Sequence, residues 1–396
     1  MSGVLMVSMV DSFTEATNTG YGSRIKSAVV GGLVGVVCIP VSFILLWMNE
    51  ENSARSHAGL SELSRLAVTV PTDRVDAANE GRPVHLTGKA VTEEVLKDEL
   101  FQVSATALRL ITSVRMFQWH ESETTETKTT AGGGEKTVTT YEYEKAWSSY
   151  PVDSSLFSYP EGHENPPMPY ESAELLTKEA MVGAFRLNED LVSQIGGAVP
   201  LELTAENRAA LPEAMREGFK DSDSGYYQGE NPSIPEVGDL QVSFSVVPPN
   251  LVSFIAKQKG NTFEAFVAQN GRAFSPLRMG GLSVEEVIAA ERGELKILTW
   301  TIRLVGLVLM VIGFAMIFRP LAVVSSFLPF LGDIVGAGTL VMAILISLGL
   351  SLTTIAVAWV FYRPLLGMPL LVLAVMFLIA AIKKMGKAKK LRIAAA

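Results

Sequence analysis

The chain has 396 residues, 48% of them apolar and only 19% charged, with a formal net charge of −8 and a mean hydropathy of +0.29. The charge is unevenly placed: between residues 49 and 296 Asp and Glu outnumber Lys and Arg 38 to 22, whereas the flanks carry 11 basic against 3 acidic residues. That pattern excludes a small soluble enzyme, a disordered chain and a basic nucleic-acid binder, and leaves a membrane protein with one large water-facing region.

In chain order, residues 1–26 are an N-terminal segment whose end carries Arg24 and Lys26. Residues 27–48, SAVVGGLVGVVCIPVSFILLWM, follow without a charge and are long enough to cross a hydrocarbon core. Their length, with no small-residue cleavage pattern behind them, predicts an uncleaved anchor in which Pro40 is a tolerated kink and Trp47 sits at the interface. Residues 49–296 then form the extracytoplasmic or lumenal domain. The lone cysteine, Cys38, excludes an intramolecular disulfide and a cysteine metal site. The domain therefore folds on its own core, for which 248 residues suffice.

Within it, residues 83–91, 114–121 and 137–148 predict strands, the last two joined by ESETTETKTTAGGGEK, a polar, Gly-rich stretch expected to be a long mobile loop. Residues 212–219 predict a helix opening at its proline. LQVSFSVV (240–247) alternates with period two, and residues 252–258 and 262–267 flank Gly260-Asn261, a type II′ hairpin signal. Residues 283–296 predict a helix opened by a Ser283/Glu286 capping box and leading straight into the membrane. The Pro-rich stretches 162–169 and 229–240 separate these sections.

Three further spans are expected at 297–318, 334–362 and, shorter, 365–382. Residues 319–333, interrupted by Pro329, are too short to cross and predict an interfacial or re-entrant connector, with Asp333 at a loop edge. The basic tail, 383–396, offers Lys383, Lys384, Lys387, Lys389, Lys390 and Arg392 to anionic lipid headgroups at about 1 kcal/mol each. This tail, together with Arg24 and Lys26, puts both termini in the cytoplasm by the positive-inside rule. The expected fold class is a multi-pass α-helical membrane protein with four transmembrane helices, one N-terminal and three C-terminal, carrying a large α+β, antiparallel-sheet-rich extracytoplasmic domain.

Several segments carry a family resemblance: NEGRPVHLTG (79–88), VRMFQW (114–119), YEYEKAW (141–147), GHENP (162–166), NPSIPEVGDLQVSFS (231–245), SVEEV (283–287), TWTIR (299–303) and VFYRPL (360–365). Together they resemble the transmembrane protein 43 family, also called LUMA. The resemblance implies one anchor, a large lumenal or extracytoplasmic domain and three C-terminal spans. It also implies, for animal members, an organising role at the inner nuclear membrane and endoplasmic reticulum through emerin, lamins and self-association, with no enzymatic activity.

Motifs for bond-breaking chemistry are missing from the sequence. His57, His85, His120 and His163 lack metal-ligand spacing, GGGEKT (132–137) lacks the Gly-Lys-Ser/Thr order of a phosphate loop, and no GxSxG elbow occurs. No catalytic residue, cofactor or metal is therefore expected, and His85 reads as a satisfied strand histidine. Arg303 is the notable charge, about a third of the way into a span, with Trp300 one turn away. It reads either as a snorkelling interface anchor or as an interhelical or lipid-phosphate contact. Small residues in 32–37 and 336–351 suit close helix packing, within or between chains. Asn79, Glu80, Gly81 and Arg82 read as a buried turn with an ion pair in preference to a ligand site, and Pro235, Glu236, Gly238 and Asp239 as a rigid turn. Tyr362, Arg363 and Pro364 are further signature positions.

The expected function is a non-enzymatic membrane scaffold that self-associates and recruits partners through its extracytoplasmic domain, maintaining membrane or envelope organisation. Its expected partners are the lipid bilayer, further copies of itself and other membrane or envelope proteins, with no nucleic acid. The alternative is a channel or transporter subunit whose polar path uses Thr301, Ser347, Ser351, Thr353 and Thr354. Expected locations are a bacterial inner membrane, or the endoplasmic reticulum and inner nuclear membrane in a eukaryote.

Overall fold

A computed structural model describes residues 11–222, 225–327, 329–365, 367–369 and 372. The expected fourth span (365–382) falls largely, and the basic tail wholly, outside them. The chain divides into two compact units: Met1–Ala16, Ser61–Glu126 and Val138–Glu291 form one, and Thr17–Leu60, Thr127–Thr137 and Arg292–Ala396 the other.

The first unit is built on two mainly antiparallel sheets, with Val68–Thr69 running parallel to Val84–His85 in one of them. Its main strands are β1 (Asp11–Thr19), β2 (Pro83–Val91), β3 (Arg109–Thr129), β4 (Glu135–Ser148), β5 (Phe219–Ser222), β6 (Gly225–Gln228), β7 (Leu240–Val247), β8 (Asn250–Lys259) and β9 (Thr262–Glu264). One sheet runs β1-β4-β3-β7-β6-β5, and the other centres on β2-β8-β9. The alternation of LQVSFSVV sets the register of β7 on β3: Val242 faces Val114 and Leu240 faces Met116, all four buried. These residues join Phe101, Phe219, Tyr226 and Phe244 in one core. A second core gathers Val84, Leu86, Phe254, Phe263 and Leu277 around β2 and β8. Gly260, at φ +58°, turns β8 into β9 with Lys259 opposite Thr262, the hairpin that its sequence signals.

The stretch expected as a mobile loop after residue 121 is instead mostly strand. β3 continues to Thr129 and β4 starts at Glu135, leaving a tight turn in which Thr130 N–H donates to Gly134 O at 2.8 Å and Gly132 and Gly133 take positive φ. Threonine favours extended backbone, and Thr125–Thr139 and Thr127–Thr137 pair across the ribbon with their hydroxyl oxygens 3.4 Å apart. Its side chains lack the apolar alternation that marks a half-buried strand, so the pattern hides it.

The N-terminal segment also differs from expectation. β1 pairs with β4, and Phe13 stacks on Tyr159 at 4.7 Å and meets Tyr143 edge-on at 5.9 Å. Residues 11–16 are thus part of the sheet unit.

The second unit holds three long helices: α1 (Tyr21–Leu66, its last residues in the sheet unit), α2 (Val284–Ser325, its first residues likewise) and α3 (Pro329–Tyr362). Each is long and apolar enough to cross a membrane over Tyr21–Leu66, Val284–Ser325 and Ile334–Tyr362. The capping box opens α2 as expected, Ser283 N–H donating to Glu286 at 2.8 Å. The stretch expected as an interfacial or re-entrant connector, 319–333, is largely taken up by the two helices. α2 keeps Pro320 inside and runs to Ser325, while Pro329 begins α3, the helix position that tolerates proline's missing N–H. Asp333 accordingly lies inside α3 rather than at a loop edge.

α1 and α2 approach closely at glycines. A Cβ on Gly35 would lie 2.5 Å from Gly313 O, and one on Gly306 would lie 2.7 Å from a Leu46 methyl. The small residues at 32–37 are therefore used within the chain. At the start of α1, Arg24 pairs with Glu135 at 2.9 Å and donates to Gly133 O at 2.5 Å and Ser326 Oγ at 3.0 Å. The hairpin tip thus occupies the positive charge that the orientation rule reads as free.

Candidate functional site

The most developed polar site lies at the other end of the helical unit, about 39 Å along α1 from Arg24 at 1.5 Å per residue. Past the apolar run of α1, Asn49, Glu50 and Ser53 are all buried, with Glu50 at 0% exposure. An isolated carboxylate there is costly unless paired and hydrogen-bonded. α2 brings Thr299, Trp300 and Arg303 to the same place, Arg303 lying one turn beyond both Thr299 and Trp300.

Arg303 clamps Glu50 in a bidentate fork, Nε donating to Oε1 at 2.6 Å and Nη2 to Oε2 at 2.9 Å. From α3, Trp359 Nε1 donates to Glu50 Oε2 at 2.7 Å. The guanidinium lies over the Trp300 ring at 4.7 Å and near the Trp359 ring at 5.7 Å. The planar fork matches the carboxylate and its faces suit aromatic rings, a combination lysine does not provide. Three outer bonds frame the pair: Asn49 Nδ2 to Thr299 O at 3.1 Å, Trp47 Nε1 to Tyr362 Oη at 3.1 Å, and Arg363 Nη2 to Ser53 Oγ at 3.0 Å. One carboxylate therefore ties three helices together.

Arg303 thus makes an interhelical contact, with Trp300 as its ring partner. Tyr362 and Arg363 join the same frame, and Pro364 is exposed beside them. The sequence reading missed Glu50 and Trp359. Glu50 looked like an orientation charge, although a lone arginine at the facing depth of the next span calls for an acid at that level.

The other signature residues are structural. Asn79 ends a short 3-10 turn capped by Asp76; Gly81, at φ +73°, donates to Gln258 O at 3.0 Å. Glu80 accepts Gly260 N–H at 2.8 Å, and Glu80, Gly81 and Arg82 are exposed, so this turn is not the buried one expected. Asp239 accepts from the Tyr227 hydroxyl and, at 2.8 Å, from Glu236 N–H. Burial and then the Asp239 carboxylate push the Tyr227 hydroxyl pKa up. Gly238, at φ +98°, donates to Phe117 O at 2.8 Å, and Asp239 N–H donates to Glu236 O at 3.0 Å, closing the turn that Pro235 opens. His85 has both ring nitrogens partnered, to Thr69 Oγ1 at 3.1 Å and Leu282 O at 2.9 Å, and burial lowers its pKa. In the GHENP stretch, Asn165 accepts from Trp119 N–H at 2.8 Å and donates to Trp119 O at 3.0 Å.

Three of the five hydroxyls invoked for a polar path are turned to their own helices, whereas Ser351 donates to Met310 Sδ on α2 at 3.6 Å and the buried Ser347 Oγ has no partner among the described residues. Thr301, Thr353 and Thr354 donate to the carbonyls of Ile297, Gly349 and Leu350, four residues back. Lys383, Lys384, Lys387, Lys389, Lys390 and Arg392 lie outside the described residues.

Against known proteins, residues 116–364 match the family model described as Transmembrane protein 43. The chain belongs to the transmembrane protein 43 family. It is 31% identical over 366 residues to Transmembrane protein 43 of Rattus norvegicus, covering 89% of each chain. The human protein of the same name is 30% identical over 364 residues, covering 88% of this chain and 89% of the relative. The Drosophila melanogaster homolog is 28% identical over 347 residues, covering 86% and 90%. No solved structure matches. The relatives' names denote a membrane protein and no enzyme.

Proposed function

We propose that this chain is a non-enzymatic membrane scaffold: three or more spans hold it in the bilayer, and its sheet unit gathers further copies and other membrane proteins. The observation that carries this reading is the closure of the Glu50 node. Both carboxylate oxygens and the guanidinium fork are engaged by one another and by Trp359, which suits a mechanical fastening and leaves no unpaired acid or base for proton transfer. Family membership and the large antiparallel unit support it further.

For orientation, we place the basic tail in the cytoplasm and residues 49–296 on the opposite face. The tail carries this assignment, because Arg24 is neutralised by Glu135. The membrane is a bacterial inner membrane in a prokaryote, or endoplasmic reticulum and inner nuclear membrane in a eukaryote.

Two differently tagged full-length copies expressed together test self-association. Recovery of one tag with the other after membrane solubilisation is expected, at a ratio unchanged by dilution in detergent. Recovery of single copies alone, with no other membrane protein retained after crosslinking in native membranes, overturns the scaffold reading.

A further inference from the structure

The Glu50 node is not electrically balanced. It holds one carboxylate, Glu50, and two guanidiniums, Arg303 and Arg363. Arg303 takes both carboxylate oxygens, and the Arg363 head donates to a neutral hydroxyl, Ser53 Oγ, at 3.0 Å. Among the described residues Arg363 forms no ion pair. The neighbouring acid on α1, Glu51, is paired with Arg55. A net positive charge thus remains at the end of a helix bundle, at the level where aromatic side chains mark a bilayer interface. Trp47, Phe361 and Tyr362 cluster there, with Trp47 5.5 Å from Phe361 and 5.8 Å from Tyr362.

Directly below lies an apolar groove of ≈ 450 Å³ between α1 and α3, lined by Phe43, Ile44 and Trp47 on one side and Leu350, Thr353 and Val357 on the other. Ile44 is 58% exposed, so the groove opens sideways. Trp47 connects the two features. It walls the groove, and its indole N–H donates to the hydroxyl of Tyr362, the residue before Arg363. Ser53, the Arg363 partner, lies five residues beyond Met48 of the groove wall, about 7.5 Å along the helix axis. A positive head over an apolar slot is the chemistry of a phospholipid site.

We propose that the α1–α3 groove holds one acyl chain of an anionic phospholipid whose phosphate is bound by Arg363. Arg303 is excluded from this role because its fork is closed on Glu50. The groove supplies chain burial for any lipid, and Arg363 supplies the preference for a negative headgroup. The site is separate from the basic tail, whose attraction to anionic surfaces is diffuse.

The test uses the full chain in mild detergent, titrated with phosphatidylglycerol or phosphatidylcholine and read by native mass spectrometry, with glycerol phosphate as a competitor. One phosphatidylglycerol is expected to be retained in preference to phosphatidylcholine. Arg363→Gln is expected to reduce that preference about fivefold, the equilibrium factor of about 1 kcal/mol for one cation at a lipid surface. Arg363→Lys is expected to keep most of it. Ile44→Trp, which fills the groove and leaves the node intact, is expected to abolish retention of both lipids. Replacing Lys383, Lys384 and Lys387 by Gln is expected to leave the retained lipid in place. Unchanged preference in a folded Arg363→Gln protein overturns the proposal, as does unchanged retention in Ile44→Trp. Displacement by glycerol phosphate at equal concentration also overturns it, by showing a free-phosphate site.

Discussion

Two arginine–glutamate pairs sit at opposite ends of the same helical unit, and their surroundings differ more than their chemistry does. Arg24 and Glu135, 11% and 20% exposed, join the start of α1 to a hairpin tip, and Arg24 also donates to backbone carbonyl and hydroxyl acceptors. Glu50 is fully buried, and among the described residues its side-chain donors are Arg303 and Trp359. The first pair has substitutes at hand if one member is lost. The second strands a charge. What an ion pair contributes is set by what remains when it is broken, so the Glu50 end is the lock and the Arg24 end a strap.

Arg303→Leu is the sharpest way to break this comparison. Leaving Glu50 buried without its cation is expected to destabilise the helical unit by about 3–5 kcal/mol, read as loss of thermal stability in detergent. Next comes the glycine crossing beneath the lock. Gly35→Ala drives a methyl into the Gly313 carbonyl, 2.5 Å away, and is expected to cost about 1–3 kcal/mol. Gly338→Ala, with open space around it, is the near-neutral control in the same melts.

The sheet unit offers a pH test at a site remote from both pairs. Burial lowers the folded-state pKa of His85 below its ordinary 6.5, against the raising effects of the Leu282 carbonyl and Glu285. The unfolded chain then binds more protons below pH 6.5, so stability contributed by neutral His85 is present above that value and is lost as pH falls toward the folded-state pKa. Denaturant melts of the full chain between pH 7.5 and 5 are expected to show this decline, and His85→Gln to flatten it. The smallest effect is expected at the strap. Arg24→Gln is expected to cost at most about 1 kcal/mol, with the wild-type contribution reduced by added salt.

Legibility in the sequence followed the physics of each region. The three described long helices, β7, the β8–β9 hairpin and the capping box were readable because each announces itself by local pattern. The polar extension of β3 and β4 was not, because a ribbon stabilised by threonine pairing lacks the apolar periodicity that marks strands. β1 was hidden for the same reason, and its docking depends on Phe13 finding Tyr143 and Tyr159 more than a hundred residues away. At the node, Arg303 and Trp300 stood out as a charge and an indole inside a span. Glu50 did not, since its pairing with Arg303 spans 253 residues and nothing local distinguishes it from Glu51. Proline misled at 329, where helix initiation and helix interruption look alike in one dimension.

The central claim, that Glu50 and Arg303 act as a unit fastening the helices, is tested most directly by a double-mutant cycle with Glu50→Gln and Arg303→Gln in the full chain. Thermal unfolding in one detergent gives the four stabilities. The expected coupling is above about 2 kcal/mol, near the top of the range for contacting residues. Additive losses, with coupling below about 0.5 kcal/mol, contradict it.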